Sequence, residues 1–350
     1  MKKKFSRAAL LLFSLALLLT GCKPAGPTYT VDSKIPSDRP APECGAEYVD
    51  YVLPWYVNGV EQSQKNKTMD FYFMSVNNYP GLKSDEYFGD STMIFFPDGT
   101  TMLIDTGDSM YAPLLVQNLK YLGVETIDYL VFSHPHSDHS FAAFSEDGVF
   151  ANFKVNNVCW NGALNNGWSD QQRITHYAEK YGCKEIIWKG GDALDIGDVH
   201  LEILAPNFEV KDQLFKGDPA VNSTSLVMRF DYGETSALFT GDLYEADEVK
   251  VIGECGEKLD VDLLKIPHHA RSTSSSKGFG AATTPQIAVG MGTTTVSGGI
   301  YYSYASQGAH VYLEGLDGYV HVTSNGKFLS AVASHERNSD QFSHYETMAK

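Results

Sequence analysis

Apolar positions along this chain come in three arrangements. Ala8 to Leu19 form one apolar stretch, interrupted only by Ser14, and the stretch after it, as far as residue 46, shows no apolar period. From Thr68 onward, short strand-like runs bounded by Gly, Pro, Asn and Asp alternate with longer stretches of helical spacing. Strands are predicted over Asp70–Val76, Thr92–Phe96 and Thr101–Ile104, the last two joined as a hairpin by Pro97-Asp98-Gly99. Further strands are predicted over Tyr129–Phe132, Val155–Cys159, Glu185–Trp188, His200–Leu204, Ser225–Phe230, Ala237–Phe239 and Leu263–Ile266. Tyr111, Leu115, Leu119 and Leu122 share one side of a helix over Tyr111–Leu122, and helices are also predicted over Asp170–Tyr181 and Tyr244–Gly253. Ala309–Ser324 reads as a hairpin about Gly315-Leu316-Asp317-Gly318. No repeat of solenoid length is visible. This order fits an α/β domain of two mixed sheets faced by helices, over 47–335, with 336–350 a polar tail. The aromatic-rich segment 47–59 is expected to pack against the domain edge.

The first apolar run changes the picture of where the domain sits. It is shorter than the ~20 residues a membrane-crossing helix needs, and Lys2, Lys3, Lys4 and Arg7 precede it. Leu19-Thr20-Gly21-Cys22 follows and resembles the bacterial lipobox. Residues 1–21 are therefore expected to be a lipoprotein signal peptide, with Cys22 lipidated and 22–46 a flexible tether. That places the protein on the extracytoplasmic side of a bacterial cell membrane, its membrane partner reached through Cys22. An uncleaved anchor helix or a plain signal peptide is the alternative. Of the other cysteines, Cys44, Cys159, Cys183 and Cys255 permit disulfides, but the spacing selects no pairing and none forms a C-x-x-C pair.

Charge narrows the partners. The formal net charge is −16, and setting aside the four basic groups of the signal peptide leaves 23 basic against 43 acidic groups, a balance of −20. Such a surface offers no clear face for long nucleic acid. A small-molecule or cell-wall-linked substrate is expected instead; the sequence is silent on oligomeric state.

The chemistry concentrates in Ser133-His134-Pro135-His136-Ser137-Asp138-His139. An apolar strand ends, and three imidazoles and a carboxylate follow within six residues. Neutral ring nitrogens crowded with one oxygen donor suit zinc or a similar divalent ion better than a merely solvated turn. His134 and His136 can face one way and Asp138 and His139 the other, which suits two adjacent ions.

This H-x-H-x-D-H motif resembles that of the metallo-β-lactamase superfamily, and the likeness runs from about residue 69 to about residue 325. Leu103-Ile104-Asp105-Thr106-Gly107 is similar to the family's early strand, whose Asp steadies a metal-binding histidine. Phe239-Thr240-Gly241-Asp242 is similar to the strand that delivers a bridging carboxylate, and Leu263 to His269 to the one that delivers the last histidine. The resemblance implies an αββα sandwich holding two divalent ions, zinc first and manganese as the alternative, on His134, His136, Asp138, His139, Asp242 and His269. It implies catalytic roles for Asp138 and Asp242. Within the superfamily the likeness is to the hydrolase domain of DNA-uptake channel proteins and to a surface phosphorylcholine esterase. These share the stretch Asn222 to Val227 and a double His before a Ser/Thr-rich loop. In that branch Asn222 stands near where antibiotic-hydrolysing relatives place another histidine. Asp105, Asn222, His268, Arg271, Ser272 and Ser274 are expected to support the ligands or touch substrate. Ser140-Phe141 and Ala270 replace glycines usual in the family, and the early glycine-rich element survives as Phe88-Gly89-Asp90-Ser91 behind the run 77–87.

The function these readings imply is metal-dependent hydrolysis of a phosphodiester or phosphate ester through water activated by two metals. The alternatives are a β-lactamase-like amide or lactone hydrolase, and a non-catalytic, metal-containing binding lipoprotein.

Overall fold

The computed structural model of the protein describes residues 29–31, 53–74, 89–166, 170–292 and 298–335. The expected signal peptide at 1–21, Cys22, Cys44, most of the expected tether, the run 77–87 and the expected polar tail lie outside them. Among the described residues the strands form a nine-stranded sheet, a seven-stranded sheet and a two-stranded pair. The first sheet runs in the order Tyr29–Val31, Leu329–Ala333, Val320–Ser324, Met69–Phe73, Thr92–Phe95, Thr101–Ile104, Thr126–Val131, Lys154–Trp160, Lys184–Ile187. The second runs His310–Leu313, Ile287–Gly290, Leu263–Lys265, Thr235–Phe239, Val227–Tyr232, Val199–Ala205, Ala193–Ile196. Each is antiparallel in one part and parallel in the other.

Successive side chains of a strand face opposite ways, and here both faces are covered. Phe71, Phe73, Ile94, Met102 and Ile104 point toward the second sheet, where they meet Met228, Phe230 and Phe239. Tyr72, Met93, Phe95 and Leu103 point the other way, under Leu114, Leu115 and Leu119 of helix Ala112–Tyr121. The second sheet is likewise covered on its outer face, where Leu238 and Leu264 pack with Val251, Phe279 and Tyr304 of three helices. Three apolar layers between four structural layers make an αββα sandwich. Trp55 and Val57 are buried in the first core, and Trp55 sits against Tyr72 with ring centroids 6.1 Å apart, so the described part of 47–59 packs as expected.

One element departs from expectation. Ala309–Ser324 is not a hairpin: His310–Leu313 pairs parallel with Ile287–Gly290 in the second sheet, and Val320–Ser324 pairs antiparallel with Met69–Phe73 in the first. A four-residue helix, Glu314–Asp317, turns the chain between the sheets, and Asp317 Oδ2 accepts the Leu313 N–H at 2.6 Å. The hairpin lies one step later, Val320–Ser324 with Leu329–Ala333 about Asn325-Gly326, where Gly326 takes φ +80°. Asn-Gly is the stronger turn signal, because both residues tolerate the left-handed region.

Candidate metal centre

Functional side chains gather at the carboxyl ends of the parallel strands of both sheets. Thr101–Ile104 leads to Asp105, and Thr126–Val131 leads to Ser133 through His139. In the other sheet Thr235–Phe239 leads to Asp242, and Leu263–Lys265 leads to His268 and His269. Parallel strands end their hydrogen-bond ladder together, so the loops that leave them converge on one crevice.

Local structure fixes each donor. His136 stands in extended backbone at the N-cap position of helix Ser137–Phe144, with no side-chain capping bond, and the first turn of that helix presents Asp138 and His139. Asp105 sits at φ 57°, and its Oδ1 accepts the Ser133 N–H at 2.7 Å while its Oδ2 lies 2.8 Å from His139 Nδ1. Asp242 is anchored by its N–H, which donates to Ser225 Oγ at 3.0 Å. His268, His269 and Ala270 take φ of 48°, 53° and 59° in succession, which swings both imidazoles back over the sheet edge.

The predicted ligands meet around one oxygen. Asp242 Oδ2 lies 3.1 Å from His269 Nε2, 3.2 Å from His139 Nε2, 3.8 Å from His268 Nε2 and 4.0 Å from His134 Nε2. His134 Nε2 and His136 Nδ1 are 2.9 Å apart, and Asp138 Oδ2 is 3.5 Å from His269 Nε2. All six residues implied as ligands therefore lie in one cluster.

Two residues outside that set belong to it. Asp90, His139, Asp242 and His269 each offer a ligand atom, all within 4.8 Å of one another. Asp90 Oδ1 is 3.0 Å from His269 Nδ1, whose hydrogen bond goes to the Met291 carbonyl at 2.9 Å, so Asp90 sets a negative charge beside His269 much as Asp105 does beside His139. The other Asp90 oxygen forms an ion pair with Lys265, whose Nζ also donates to the Gly241 carbonyl at 3.0 Å and lies 3.8 Å from Asp242 Oδ1. Lys265 is 2% exposed. A lysine inside Leu263-Leu264-Lys265-Ile266 is the sequence signal that could have found the pair, since a cation in an apolar strand needs a buried partner.

The electrostatics call for a cation. Burial opposes charge on His139, yet Asp242 and Asp105 hold its pKa well above the usual value. Burial likewise opposes charge on His269, and Asp242 and Asp90 raise it well above the usual value. Burial pushes His134 well below, helped by His139 and His136. Burial works against ionisation of Asp242, but His269 and His139 keep it well below the ordinary carboxylate range. His136 Nε2, His139 Nε2 and Asp242 Oδ1 are buried without a hydrogen bond among the described residues. Buried carboxylates facing imidazole nitrogens that donate to nothing are what bound divalent ions satisfy, and the imidazole and carboxylate set fits zinc or manganese.

Asn222 ends the short helix Asp218–Asn222 and is 1% exposed. Burial brings His268 down to about 4 against the pull of Asp242, so it is neutral at pH 7. Arg271 acts electrostatically on His268. Ser274 is buried with its Oγ unbonded among the described residues, and Ser272 is exposed. Ser276, not these, caps helix Lys277–Thr283 by accepting the Phe279 N–H at 3.1 Å. Cys159, Cys183 and Cys255 carry free thiols.

Comparison with known proteins agrees with this geometry. The family model described as Metallo-beta-lactamase superfamily matches residues 84–289. Competence protein ComA of Neisseria gonorrhoeae is 30% identical over 198 residues, covering 56% of this chain and 23% of its own length. ComE operon protein 3 of Bacillus subtilis (strain 168) is 26% identical over 241 residues, covering 60% of this chain and 29% of its own. The chain thus spans well under half the length of either relative. Among solved structures, the metallo-beta-lactamase fold protein YhfI from Bacillus subtilis aligns at TM-score 0.41 and 15% identity, over 63% of this chain and 85% of that one.

Proposed function

We propose a reaction on one premise: this chain belongs to the metallo-β-lactamase superfamily, whose fold is that of metal-dependent hydrolases. The reaction is hydrolysis of a phosphodiester or phosphate ester. The observation that carries it is Asp242 Oδ2, which lies 4.0 Å from His134 Nε2 on one side and 3.1 and 3.2 Å from His269 Nε2 and His139 Nε2 on the other, and so suits a carboxylate shared by two ions. His134 and His136 would hold one ion, and Asp138, His139 and His269 the other, with Asp242 common to both. Zinc is the first choice and manganese the second. Divalent ions bound there would lower the pKa of water to about 7 and polarise the ester oxygen.

The chain's own groups do the rest. Asp105 keeps the hydrogen of His139 on Nδ1, leaving Nε2 with its lone pair toward the centre. Asp138 is the partly open carboxylate of the group, with 22% of its side chain exposed, and is placed to accept a hydrogen from the attacking water. His268 Nδ1 is held by the Thr273 hydroxyl, and with that hydroxyl donating, neutral His268 keeps its hydrogen on Nε2 and can stabilise charge on the departing oxygen by a hydrogen bond, without giving up the proton.

The test is turnover of bis-p-nitrophenyl phosphate by the full chain with zinc or manganese. Asp242→Ala is expected to abolish turnover and to lose bound metal by elemental analysis; wild-type turnover in that variant overturns the shared-carboxylate arrangement. Nitrocefin turnover without phosphoesterase activity would favour the amide-hydrolase alternative, and two bound metals with no hydrolysis at all would favour the binding protein. The same proposal puts the domain at the outer face of a bacterial membrane through lipidated Cys22. Cys22→Ser is expected to move it to the soluble fraction, and unchanged fractionation refutes that part alone.

A further inference from the structure

Strand directions put the chain's entry and the metal centre at opposite ends of the sandwich. Thr101–Ile104 and Thr126–Val131 run parallel and lead out to Asp105 and to the turn that carries His134. Thr92–Phe95, Met69–Phe73, Val320–Ser324 and Leu329–Ala333 follow across the sheet, each antiparallel to the one before it. Leu329–Ala333 therefore runs in the same direction as Thr101–Ile104. Tyr29–Val31 pairs parallel with it, Tyr29 beside Leu329. Tyr29 thus enters the sheet at the end where the metal-bearing strands begin, a strand length away from the donors.

Cys22 stands seven positions before Tyr29. That much chain spans at most about 25 Å when fully extended. Strand Thr126–Val131 is itself about 20 Å long at ~3.3 Å per residue, and the donor histidines lie beyond it. To bring the metal centre down to a membrane that holds Cys22, so short a segment would have to run the length of the sandwich and round its rim.

The entry end is built to meet lipid. The turn before Leu329 is fixed: Asn325 Oδ1 accepts the N–H groups of Lys327 and Phe328 at 3.0 and 2.8 Å, and Gly326 N–H donates to Ser324 Oγ at 3.0 Å. Phe328 is 50% exposed on that turn. The Gly326 carbonyl accepts the Glu234 N–H at 2.6 Å, and the Tyr232 hydroxyl donates to the Lys67 carbonyl at 2.8 Å. Hairpin tips of both sheets and the end of helix Gly59–Asn66 therefore form one surface. Lys65, Lys67 and Lys327 are exposed on it, with Glu234 among them. An aromatic ring on a fixed turn, with ammonium groups around it, suits the boundary between headgroups and acyl chains, where lysines reach the phosphates.

We propose that this end of the sandwich, led by Phe328 with Lys327, Lys67 and Lys65 around it, rests on the lipid surface and holds the metal centre facing away from it. It rests on the lipidated Cys22 proposed above and adds an orientation. The occupant is the bilayer itself, because Phe328 adjoins Leu329, the residue beside which the anchored chain enters. An acyl anchor alone only tethers, whereas a second contact fixes the pose. A centre so turned takes its substrate from the surroundings rather than from the headgroups of its own membrane.

The experiment uses the full lipidated chain on vesicles of phosphatidylglycerol and phosphatidylcholine, with and without bromine on the acyl chains, a contact quencher of tryptophan. Phe328→Trp puts a tryptophan on the turn. Met110→Trp puts one at the metal-centre end, where Met110 follows Asp105 by five positions and is 48% exposed. The wild type, with its four native tryptophans, supplies the background. Flotation reports attachment, and the mass of the chain reports lipid on Cys22. The emission added by Phe328→Trp is expected to be lost on brominated vesicles, and that added by Met110→Trp to be kept. Flotation without extra quenching in Phe328→Trp overturns the inference and leaves the anchor standing. Quenching in Met110→Trp overturns it as well, since the metal centre then faces lipid. A chain that floats with a bare Cys22 and is quenched in Phe328→Trp sinks the anchor and keeps the docking surface; a chain that never floats sinks both.

Discussion

Asp90 and Asp105 each set a carboxylate beside a ligand histidine, on opposite sides of the centre. Asp105 faces Nδ1 of His139 at 2.8 Å, and Asp90 faces Nδ1 of His269 at 3.0 Å. Asp105 fixes a tautomer and a ring angle, whereas the Met291 carbonyl is the hydrogen-bond partner of His269 Nδ1 and Asp90 adds negative charge beside it, so both carboxylates bear on metal affinity. Asp90→Asn is expected to weaken metal binding by roughly 10–100-fold, read by competition against a chromogenic chelator, as is Asp105→Asn. An unchanged affinity in Asp90→Asn would make Asp90 a mere counter-ion of Lys265. The sequence disclosed these two residues unequally. Asp105 stands in a recognisable strand–Asp–Gly element, and His134 to His139 is a motif because four donors fit in one turn. Asp90 and Lys265 come from different sheets, and what defines them is an ion pair that forms only when the strands meet.

Elements carry the placement, and the least ordinary is the loop His268-His269-Ala270. Three successive residues with side chains occupy the left-handed region, which costs about 1–2 kcal/mol each relative to ordinary backbone. The packing around it is close: a Cβ on Gly292 would lie 2.9 Å from the His269 carbonyl oxygen, and one on Gly290 would lie 2.9 Å from Ala270 Cβ. Ala270→Gly is expected to stabilise the protein by about 0.5–1 kcal/mol, the left-handed cost relieved less the extra freedom glycine has when unfolded. Urea unfolding checks it, and a loss of stability would mean that the Ala270 methyl contributes more by packing than it costs in backbone. Most strands were legible within two or three residues, because apolar runs bounded by turn residues define them. Their ends were not, because Tyr72, Met93 and Leu103 are buried on the helix side just as Phe71, Ile94 and Met102 are on the sheet side. With no polar face there is no alternation to count. The mistaken hairpin at Ala309–Ser324 shares that cause: two apolar strands around a glycine-rich turn look alike whether they pair with each other or with different sheets.

At the scale of the whole molecule, the sandwich is two sheets held by one apolar layer, in which Phe239 packs on Phe71, Phe73 and Phe230 at 6.0, 5.9 and 5.7 Å. That ring stands three residues before Asp242, so packing of the middle layer and aim of the shared carboxylate are one property. The donors themselves are divided: His134, His136, Asp138 and His139 leave the first sheet, while Asp242 and His269 leave the second. A cation held by both sets is therefore a clasp across the mouth of the sandwich, and the layers cannot part at that end without releasing it. Chelation is expected to lower the Tm, by the equivalent of about 2.7 kcal/mol when free metal stands at 100 times its dissociation constant. His139 and His269, whose pKa values are raised in the metal-free chain, must give up protons as the clasp closes, so the gap between loaded and chelated Tm should widen as pH rises above the ordinary histidine range. A Tm indifferent to chelator, with metal shown to have left, would mean that the sheets close without it. If the gap is found, loss of metal becomes a mechanical event as well as a chemical one: a chain stripped of its ions would gape at its catalytic end first, and proteases would find it there.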